Sequence, residues 1–214
     1  KVSNTQKKVI IVGGVAGGAS AAVRLRRLDE HANIILFERG EHISFANCGL
    51  PYYIGEVIKD KQKLLVETPE NVHGNFNIDV RINSEVVKIN REEKTVEIHN
   101  LINNNRYTES YDNLVLSPGA HPIRPPVPGI QSSNIFTLRN IPDMDAIKAY
   151  VDEVRPKHAL VIGGGFIGLE MAENLAERGV LVTVNELSEQ VMGPLDFEMA
   201  AYVHQHLKSH DLEL

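Results

Sequence analysis

The chain has 214 residues, 43% of them hydrophobic and 23% charged, so it is long enough for one large globular domain or two small ones. A net charge of −6 at pH 7 gives no reason to expect nucleic acid or an anionic membrane as a partner. The single cysteine, Cys48, excludes an internal disulfide and a metal site built from several cysteines, and a lone thiol is typical of a reducing compartment.

The distribution of apolar residues also predicts where the protein resides. No apolar run approaches the roughly 20 residues that a membrane span needs. The opening stretch KVSNTQKK lacks the apolar centre of a signal peptide. We therefore predict a soluble, cytoplasmic protein with no membrane partner.

The first forty residues predict a βαβ unit. Lys8–Val12 is an apolar run rich in β-branched residues, which is typical of a buried parallel strand. The glycine-rich GGVAGG at residues 13–18 follows, and an alanine-rich stretch after it favours a helix. The run NIILFERG then predicts a second strand that ends in Glu38.

The middle of the chain has a different pattern. Glu85–Asn100 alternates apolar and polar residues around a charged turn, which predicts a β-hairpin. A second run of this kind ends in the apolar LVL and a Ser-Pro-Gly turn at residues 117–119. The prolines of HPIRPPVPG then predict an extended connector.

The opening pattern returns in ALVIGGGFIGLEMAENLAERG, which predicts a strand, a glycine loop and a helix. Ile167, Met171 and Leu175 predict a buried stripe on that helix, and Gly179 is a natural helix stop. A strand ending in Glu186, another helix and the start of a strand follow. Because a doubly wound sheet needs more strands than this, we expect the N-terminal part of a larger protein.

Both glycine loops have the context of a dinucleotide site, with a strand before, a helix after and an acid about 20 residues further on. Gly163, Gly165 and Gly168 complete the second motif, and Glu186 follows Gly168 by eighteen residues. Glycines allow the backbone to approach a pyrophosphate, the helix N-terminus stabilises its charge, and the acid accepts ribose hydroxyls. The alternative is a glycine-rich turn that only packs, but two loops with two acids favour nucleotides.

The first loop departs from this motif because Val15 stands at the central glycine position, while Gly13, Gly18 and Glu38 are in place. Two dinucleotide sites in one chain suggest a flavin and a nicotinamide nucleotide. Glu186 would repel the 2′-phosphate of NADPH, which favours NADH, although Asn185 beside it leaves NADPH open.

Four motifs, VIIVGGVAGGASAA, SFANCGLPYYIGEV, YDNLVLSPGA and VIGGGFIGLEMAENL, resemble the flavin-dependent pyridine nucleotide-disulfide oxidoreductases. The single-cysteine branch is the match, and within it the coenzyme A-disulfide reductases are most similar; the branch also holds NADH oxidases, NADH peroxidases and coenzyme A-persulfide reductases. The resemblance implies an α/β fold of two Rossmann-like domains, as in glutathione reductase, with a β-hairpin or meander insertion. We expect an FAD-binding domain at residues 1–151, a partial NAD(P)H-binding domain at residues 152–214, and a homodimer in the full-length protein.

The motifs and the resemblance together assign contacts to FAD and NAD(P)H. For Glu170 the alternative is a first-turn helix residue stabilised by the helix dipole. The assigned residues are Gly13, Gly14, Val15, Ala16, Gly17, Gly18, Glu38, Arg39, Asn47, Val86, Ser117, Pro118, Gly119, Arg139, Gly163, Gly165, Phe166, Ile167, Gly168, Glu170 and Glu186.

Cys48 in ISFANCGLPYY is the candidate catalytic residue. It precedes an apolar segment that favours a short helix, and a thiolate is stabilised at a helix N-terminus. The resemblance implies that electrons from NADH pass by way of FAD to Cys48, which attacks a small disulfide or persulfide and forms a mixed disulfide. With peroxide, Cys48 would cycle through a sulfenic acid. The alternative is a buried structural cysteine.

Two features bear on the substrate. Peroxidases and oxidases of this branch usually carry a histidine in the first loop, where this chain has Ala16. The loop instead resembles that of the coenzyme A-disulfide and persulfide reductases. The resemblance assigns coenzyme A contacts to Ser20, Arg24, Arg27, Ser44 and Asn47, and arginine suits phosphate. The alternative is a solvated basic helix face. The family usually places basic residues near NVHGNFNID, and this sequence has none there.

The sequence thus predicts a flavoprotein that uses NAD(P)H to reduce coenzyme A disulfide or persulfide through FAD and Cys48. One alternative is an NADH oxidase that reduces oxygen. Another is that these residues alone form an inactive nucleotide-binding fragment. The nine histidines show no metal-ligand spacing, so we predict no metal.

Overall fold

The computed structural model describes residues 6–214. The strands are β1 (Lys8–Val12), β2 (Asn33–Phe37), β3 (Asp79–Arg81), β4 (Ser84–Asn90), β5 (Thr95–Asn100), β6 (Arg106–Ser110), β7 (Asn113–Leu116), β8 (His158–Ile162) and β9 (Leu181–Asn185). The helices are α1 (Ala16–Leu28), α2 (Leu50–Ile54), α3 (Pro69–Phe76), α4 (Ile141–Val154), α5 (Phe166–Glu177) and α6 (Phe197–Ser209). No helix within residues 6–214 has the length and apolar character needed to cross a bilayer.

The chain divides into two compact units. The first runs to Ala46 and resumes over Leu65–Ala120, and the second comprises Asn47–Leu64 and His121–Leu214. The Cys48 segment therefore belongs to the same unit as the second glycine loop. The expected cofactor domains at residues 1–151 and 152–214 stay a prediction.

The first unit is built on a parallel sheet in the order β3-β2-β1-β7. Successive side chains of β1 point to opposite faces, and both faces are covered, which explains the continuous apolar run in the sequence. Ile11 packs with Ala22 of α1 on one face, and Ile10 packs with Val96 and Ile98 of β5 on the other. The predicted first strand, glycine loop and helix are confirmed.

An antiparallel sheet, β4-β5-β6, covers the second face of that parallel sheet. It contains the predicted hairpin and adds a third strand. Arg81 at the end of β3 ties the two sheets together: its guanidinium donates to Asp79 at 2.7 Å and to Glu109 of β6 at 2.7 Å, and lies 5.5 Å from the Phe37 ring centroid. Lys8 of β1 donates to the same Glu109.

The second unit repeats the βαβ motif. β8 and β9 pair in parallel, α5 connects them, and Glu213 forms a parallel bridge with Thr183, as expected for the start of a further strand. Gly179, with φ of 77°, ends α5 as predicted. The sequence pattern did not predict α4. Asn140 caps the start of this helix, and its side chain accepts a hydrogen bond from the Asp143 N–H at 2.9 Å.

One packing prediction is wrong. Met171 and Leu175 of α5 are buried, but Ile167 is 60% exposed. Ile167 lies in the first turn of α5, next to the glycine loop, where the helix has only begun to run back along the sheet. The buried stripe therefore begins one turn later than the spacing suggested.

Candidate functional site

The first glycine loop connects β1 to α1 in a conformation that requires glycine at two positions. Gly13 has φ of 96°, in the left-handed region, and its N–H donates to the Phe37 carbonyl at 2.8 Å. A β-carbon on Gly18 would overlap the Gly13 carbonyl, so only glycine lets α1 begin this close to the strand. Glu38 at the tip of β2 accepts from the Gly14 N–H at 2.8 Å and the Gly40 N–H at 2.7 Å.

The second loop repeats this arrangement. Gly163 has φ of 109° and donates to the Asn185 carbonyl at 2.8 Å, and a β-carbon on Gly168 would overlap the Gly163 carbonyl. Glu186 accepts from the Ser188 N–H at 2.9 Å and the Gly164 N–H at 2.7 Å. These hydrogen bonds lower the pKa of Glu186 below its ordinary value, so its carboxylate is ionised at neutral pH.

In each unit a two-residue segment packs on the glycine loop, and we call it a strap: residues 43–44 for the first loop and residues 191–192 for the second. The sequence patterns predicted neither strap. Ile43 packs on Gly14, and the next residue, Ser44, donates its N–H to the Gly14 carbonyl at 2.9 Å. In the second loop Val191 packs on Gly164, and Met192 donates to the Gly164 carbonyl at 2.8 Å. Ser44 and Met192 both have positive φ, 46° and 53°.

The straps do have a weak signal in the sequence. Ser44 follows Glu38 by six residues, and Met192 follows Glu186 by the same number. An aliphatic residue precedes Ser44 and Met192 in each case. Because neither position is a glycine, the left-handed conformation could not be read from residue type.

Both loops fit the pyrophosphate of a dinucleotide. Within residues 6–214 no side chain caps the start of α1 or α5, so the first-turn N–H groups and the helix dipole are available to an anion. Ala16, Gly17, Phe166 and Ile167 at these starts are exposed. The carboxylates of Glu38 and Glu186 accept hydrogen bonds from the N–H groups of Gly14 and Gly164, the second residue of each loop. In this position the carboxylates could also accept hydrogen bonds from ribose hydroxyls.

The first unit also gathers most of the remaining flavin candidates. Ser117, Pro118 and Gly119 directly follow β7, and a β-carbon on Gly13 would overlap the Ser117 carbonyl. Arg39 next to Glu38 has an ion pair with Glu85 at 3.5 Å.

Val86 is a different case, because it packs in the apolar cluster around Phe37 between the two sheets. Asn47 and Arg139 belong to the second unit. The Arg139 N–H donates to Asp143 at 2.9 Å, and its guanidinium lies 3.2 Å from the His121 ring nitrogen Nδ1.

Cys48 lies in a single 3₁₀ turn, Asn47–Gly49, that leads directly into α2. Its side chain is exposed, which contradicts the alternative of a buried structural cysteine. The negative charge of Glu170, together with burial and the charge of Glu173, raises the pKa of Tyr52 on α2. Tyr52 therefore stays a neutral phenol close to Glu170, one of the predicted cofactor residues.

A groove of about 340 Å³ in the first unit brings together four of the five substrate candidates, Ser20, Arg24, Arg27 and Ser44. Asn47 does not line it. Glu67, which the sequence did not single out, also lines the groove.

The neighbouring Arg26 has another role. Its guanidinium donates to the carbonyls of Phe76 and Asn77, both at 2.8 Å, and so closes the end of α3. Arg24 and Arg27 are exposed on the groove side of the same helix. In the part of the chain that the structure describes, no group of three or more His, Cys, Asp or Glu residues is placed to hold a metal.

Two glycine loops, each with an acid at the tip of the following strand, and an exposed thiol define a dinucleotide-binding redox protein of the α/β class. The family model for pyridine nucleotide-disulphide oxidoreductases matches residues 7–214, and the chain belongs to that family. The expected resemblance and the two Rossmann-like units are confirmed.

Known proteins of this family are similar over nearly the whole chain. The coenzyme A disulfide reductase of Staphylococcus haemolyticus is 42% identical over 203 residues, 95% of this chain and 46% of that protein. The crystal structure of reduced Bacillus anthracis CoADR-RHD is 63% identical with a TM-score of 0.96, over 98% of this chain and 38% of that chain. A NAD-dependent persulfide reductase from A. fulgidus is 36% identical with a TM-score of 0.91, over 96% and 38%. The chain thus spans less than half the length of these proteins.

Proposed function

We propose that the full-length protein containing this chain is a homodimeric flavoprotein that uses NAD(P)H to reduce coenzyme A disulfide or persulfide through FAD and Cys48. The observation that carries the proposal is the exposed thiol of Cys48, the only cysteine, in a chain with two dinucleotide loops. The similarity to a coenzyme A disulfide reductase and a persulfide reductase supports it. We assign residues 1–151 to FAD binding and residues 152–214 to NAD(P)H binding.

The two loops would hold the two nucleotides. FAD and the nicotinamide supply the two-electron chemistry when bound. The N–H groups at the start of α1 and α5 would face the pyrophosphates, and Glu38 and Glu186 would accept hydrogen bonds from ribose hydroxyls. The ionised Glu186 repels a 2′-phosphate, which favours NADH over NADPH.

Cys48 would perform the exchange with the substrate. Its thiolate attacks one sulfur of the disulfide R–S–S–R, a Cys48–S–S–R bond forms, and R–S⁻ leaves. Two further electrons and a proton then cleave the mixed disulfide, which restores the Cys48 thiolate and releases R–SH. Each cycle consumes one NADH and one disulfide, so the substrate replaces the second cysteine that the chain lacks.

The groove along α1 supports coenzyme A as the carrier of the substrate sulfur. Arg24 and Arg27 offer two guanidinium groups to phosphates, and the hydroxyls of Ser20 and Ser44 can donate to them. We expect Arg24→Met and Arg27→Met in the full-length protein to weaken coenzyme A binding about tenfold each, measured by calorimetric titration. Lys88→Met, at an exposed position of β4 in the same unit, is the matched control and should leave the affinity unchanged. Equal binding by all four proteins would contradict the assignment.

Oxygen is the alternative acceptor. Ala16 occupies the position where the oxidases and peroxidases of this branch usually have a histidine, which favours the thiol-bound sulfur. With NADH and coenzyme A disulfide, the full-length protein is expected to release two thiols per NADH with little oxygen uptake. Oxygen consumption that matches NADH oxidation, without thiol release, would favour the oxidase.

The chain of 214 residues alone is expected to be inactive, because it spans less than half of its relatives. Turnover of NADH and coenzyme A disulfide by these residues alone would overturn this expectation. The visible absorbance band of the flavin would show separately whether FAD is retained.

A further inference from the structure

The position of the Cys48 segment depends on the helices that it packs against. α2 begins two residues after Cys48 and packs on both α4 and α5. With only five residues, α2 has too few helical hydrogen bonds to hold itself in place. α5, in contrast, begins directly at the second glycine loop.

Arg178, immediately after α5, binds the end of α2. Its Nη1 donates to the Ile54 carbonyl at 2.9 Å, and its Nη2 donates to Asp152 of α4 at 2.6 Å. The Arg178 side chain is 18% exposed and that of Asp152 is 39% exposed, so the ion pair is partly open to water while the guanidinium itself is largely covered. A guanidinium at the C-terminal end of a helix is also favoured by the helix dipole.

Asn174, one turn earlier in α5, forms the second contact with the end of α2. It is 1% exposed, and its Nδ2 donates to the Glu170 carbonyl at 2.8 Å. A β-carbon on Gly55, the residue after α2, would overlap the Asn174 side-chain oxygen. Glycine at position 55 therefore allows the end of α2 to close against α5.

α4 completes this set of contacts. Lys148 pairs with Glu56 at 3.1 Å and with Asp152 at 3.0 Å, and its ammonium lies 5.5 Å from the Tyr53 ring centroid. The hydrogen bond from Arg178 lowers the pKa of Asp152, so the carboxylate between Lys148 and Arg178 stays ionised. Residues 53–56 are thus held by charged groups from both helices.

We propose that Arg178 and Asn174 are positioning residues for Cys48. They fix the end of its helix to α5 and thereby set the place of the thiol relative to the nucleotide that the second loop binds. They act through α2 rather than on the thiol itself. This inference rests on the proposed catalytic role of Cys48.

The test compares two electron acceptors in the full-length holoenzyme. Ferricyanide takes electrons from the reduced flavin without the cysteine, whereas coenzyme A disulfide needs Cys48. For Arg178→Met and Gly55→Ala we expect thiol release from coenzyme A disulfide to fall roughly ten- to a hundredfold, because small displacements of a reacting group have effects of this size. NADH-ferricyanide activity is expected to stay within about twofold of wild type. Lys157→Met removes an exposed charge in the same unit and should change neither rate.

Thiol release within twofold of wild type in both variants would overturn the proposal, as would an equal loss of both activities, which indicates general damage. A second measurement separates this inference from the proposed function. The rate at which iodoacetamide alkylates Cys48 in the NADH-reduced enzyme should rise at least threefold in Arg178→Met and Gly55→Ala. If wild type releases no thiol, the proposed function fails, and unchanged alkylation in both variants would then refute the positioning role by itself.

Discussion

The first glycine loop has Val15 at its central position, whereas the second has Gly165. Both loops need glycine at the positions that touch the strand and helix, Gly13 and Gly18 in one, Gly163 and Gly168 in the other. At Gly165 a β-carbon would have no heavy atom of the described chain within 4 Å. The left-handed backbone of Gly13 and Gly163 and the close packing at Gly18 and Gly168 therefore require the outer glycines, while the central position is free to serve a ligand.

The surroundings of the loops differ as well. Ser117 at the end of β7 closes over the first loop, where a β-carbon on Gly17 would lie 3.3 Å from its hydroxyl. The second loop belongs to a sheet of two strands within the described residues. The side chain of Val191 packs on Gly164 of this loop, and the Val191 N–H donates to the ring nitrogen Nε2 of His204 in α6 at 3.1 Å. The two loops thus share an internal geometry but take their support from different elements.

The largest effect is expected where packing requires glycine. Gly168→Ala should destabilise the second unit by about 3 kcal/mol, because the β-carbon overlaps the Gly163 carbonyl, which cannot move without breaking the turn. Urea denaturation of the full-length protein measures the change. Gly165→Ala is the matched control and should unfold at the same urea concentration as wild type. If the two variants unfold at the same urea concentration, the outer glycine is no more important for stability than the central one.

The first loop follows β1 of the parallel sheet, and the contact between this sheet and the antiparallel sheet can be tested at Arg81. Arg81→Met should cost about 2 kcal/mol, since it leaves the largely buried Glu109 with one partner fewer. Burial alone would raise the pKa of Glu109, but its hydrogen bonds with Lys8 and Arg81 outweigh burial and lower it. A lowered folded-state pKa gives stability that is present above the unfolded value and lost as pH falls through the folded one.

Denaturation midpoints at several pH values measure this contribution. Wild type should therefore lose more stability than Arg81→Met on acidification below the ordinary glutamate pKa. Parallel pH curves for the two proteins would show that the ion pairs of Glu109 do not support the sheet.

The central position of the second loop gives the next effect. Gly165→Val copies Val15 of the first loop, and the backbone of Gly165 is extended, so the protein should fold normally. The added side chain would stand where the pyrophosphate approaches, and we expect about tenfold weaker NADH binding, or about 1.4 kcal/mol. Fluorescence titration with NADH measures it, and unchanged affinity would mean that the central glycine serves no ligand.

The smallest effect concerns pH. The N–H groups of Ser188 and Gly164 lower the pKa of Glu186, so its carboxylate stays charged well below neutral pH. Because the second pKa of the 2′-phosphate is about 6, both charges are complete above about pH 7.5, and the preference for NADH over NADPH should be constant between about pH 7.5 and 9. In Glu186→Gln the preference should shrink several-fold at every pH, and a preference that instead rises with pH over this range in wild type would assign it to another group.

The sequence predicted the features that depend on local patterns. The apolar run Lys8–Val12 matches β1 at both ends, and the glycine loops lie where the motifs placed them. The four groove residues come together because Ser20, Arg24 and Arg27 share a helix face and the strap brings Ser44 beside it.

Other features depend on contacts between distant residues, which no local pattern records. The packing of Val191 on Gly164 and of Asn174 on Gly55 joins segments far apart in the chain. Ile167 was assigned to the core by its spacing, although its place in the first turn of α5 leaves it exposed. The residues assigned to each cofactor stay predictions, because nucleotide contacts depend on the bound ligand as well as on the loop.

The role of Cys48 is tested most directly by the mass of the Cys48 peptide after full-length enzyme with a free Cys48 thiol and an oxidised flavin meets coenzyme A disulfide without NADH. We expect one coenzyme A joined to Cys48 by a disulfide, and its complete release when NADH is added. Thiol release while Cys48 stays unmodified, or a coenzyme A adduct that NADH does not remove, would contradict the role of Cys48 as the electron carrier between nucleotide and substrate.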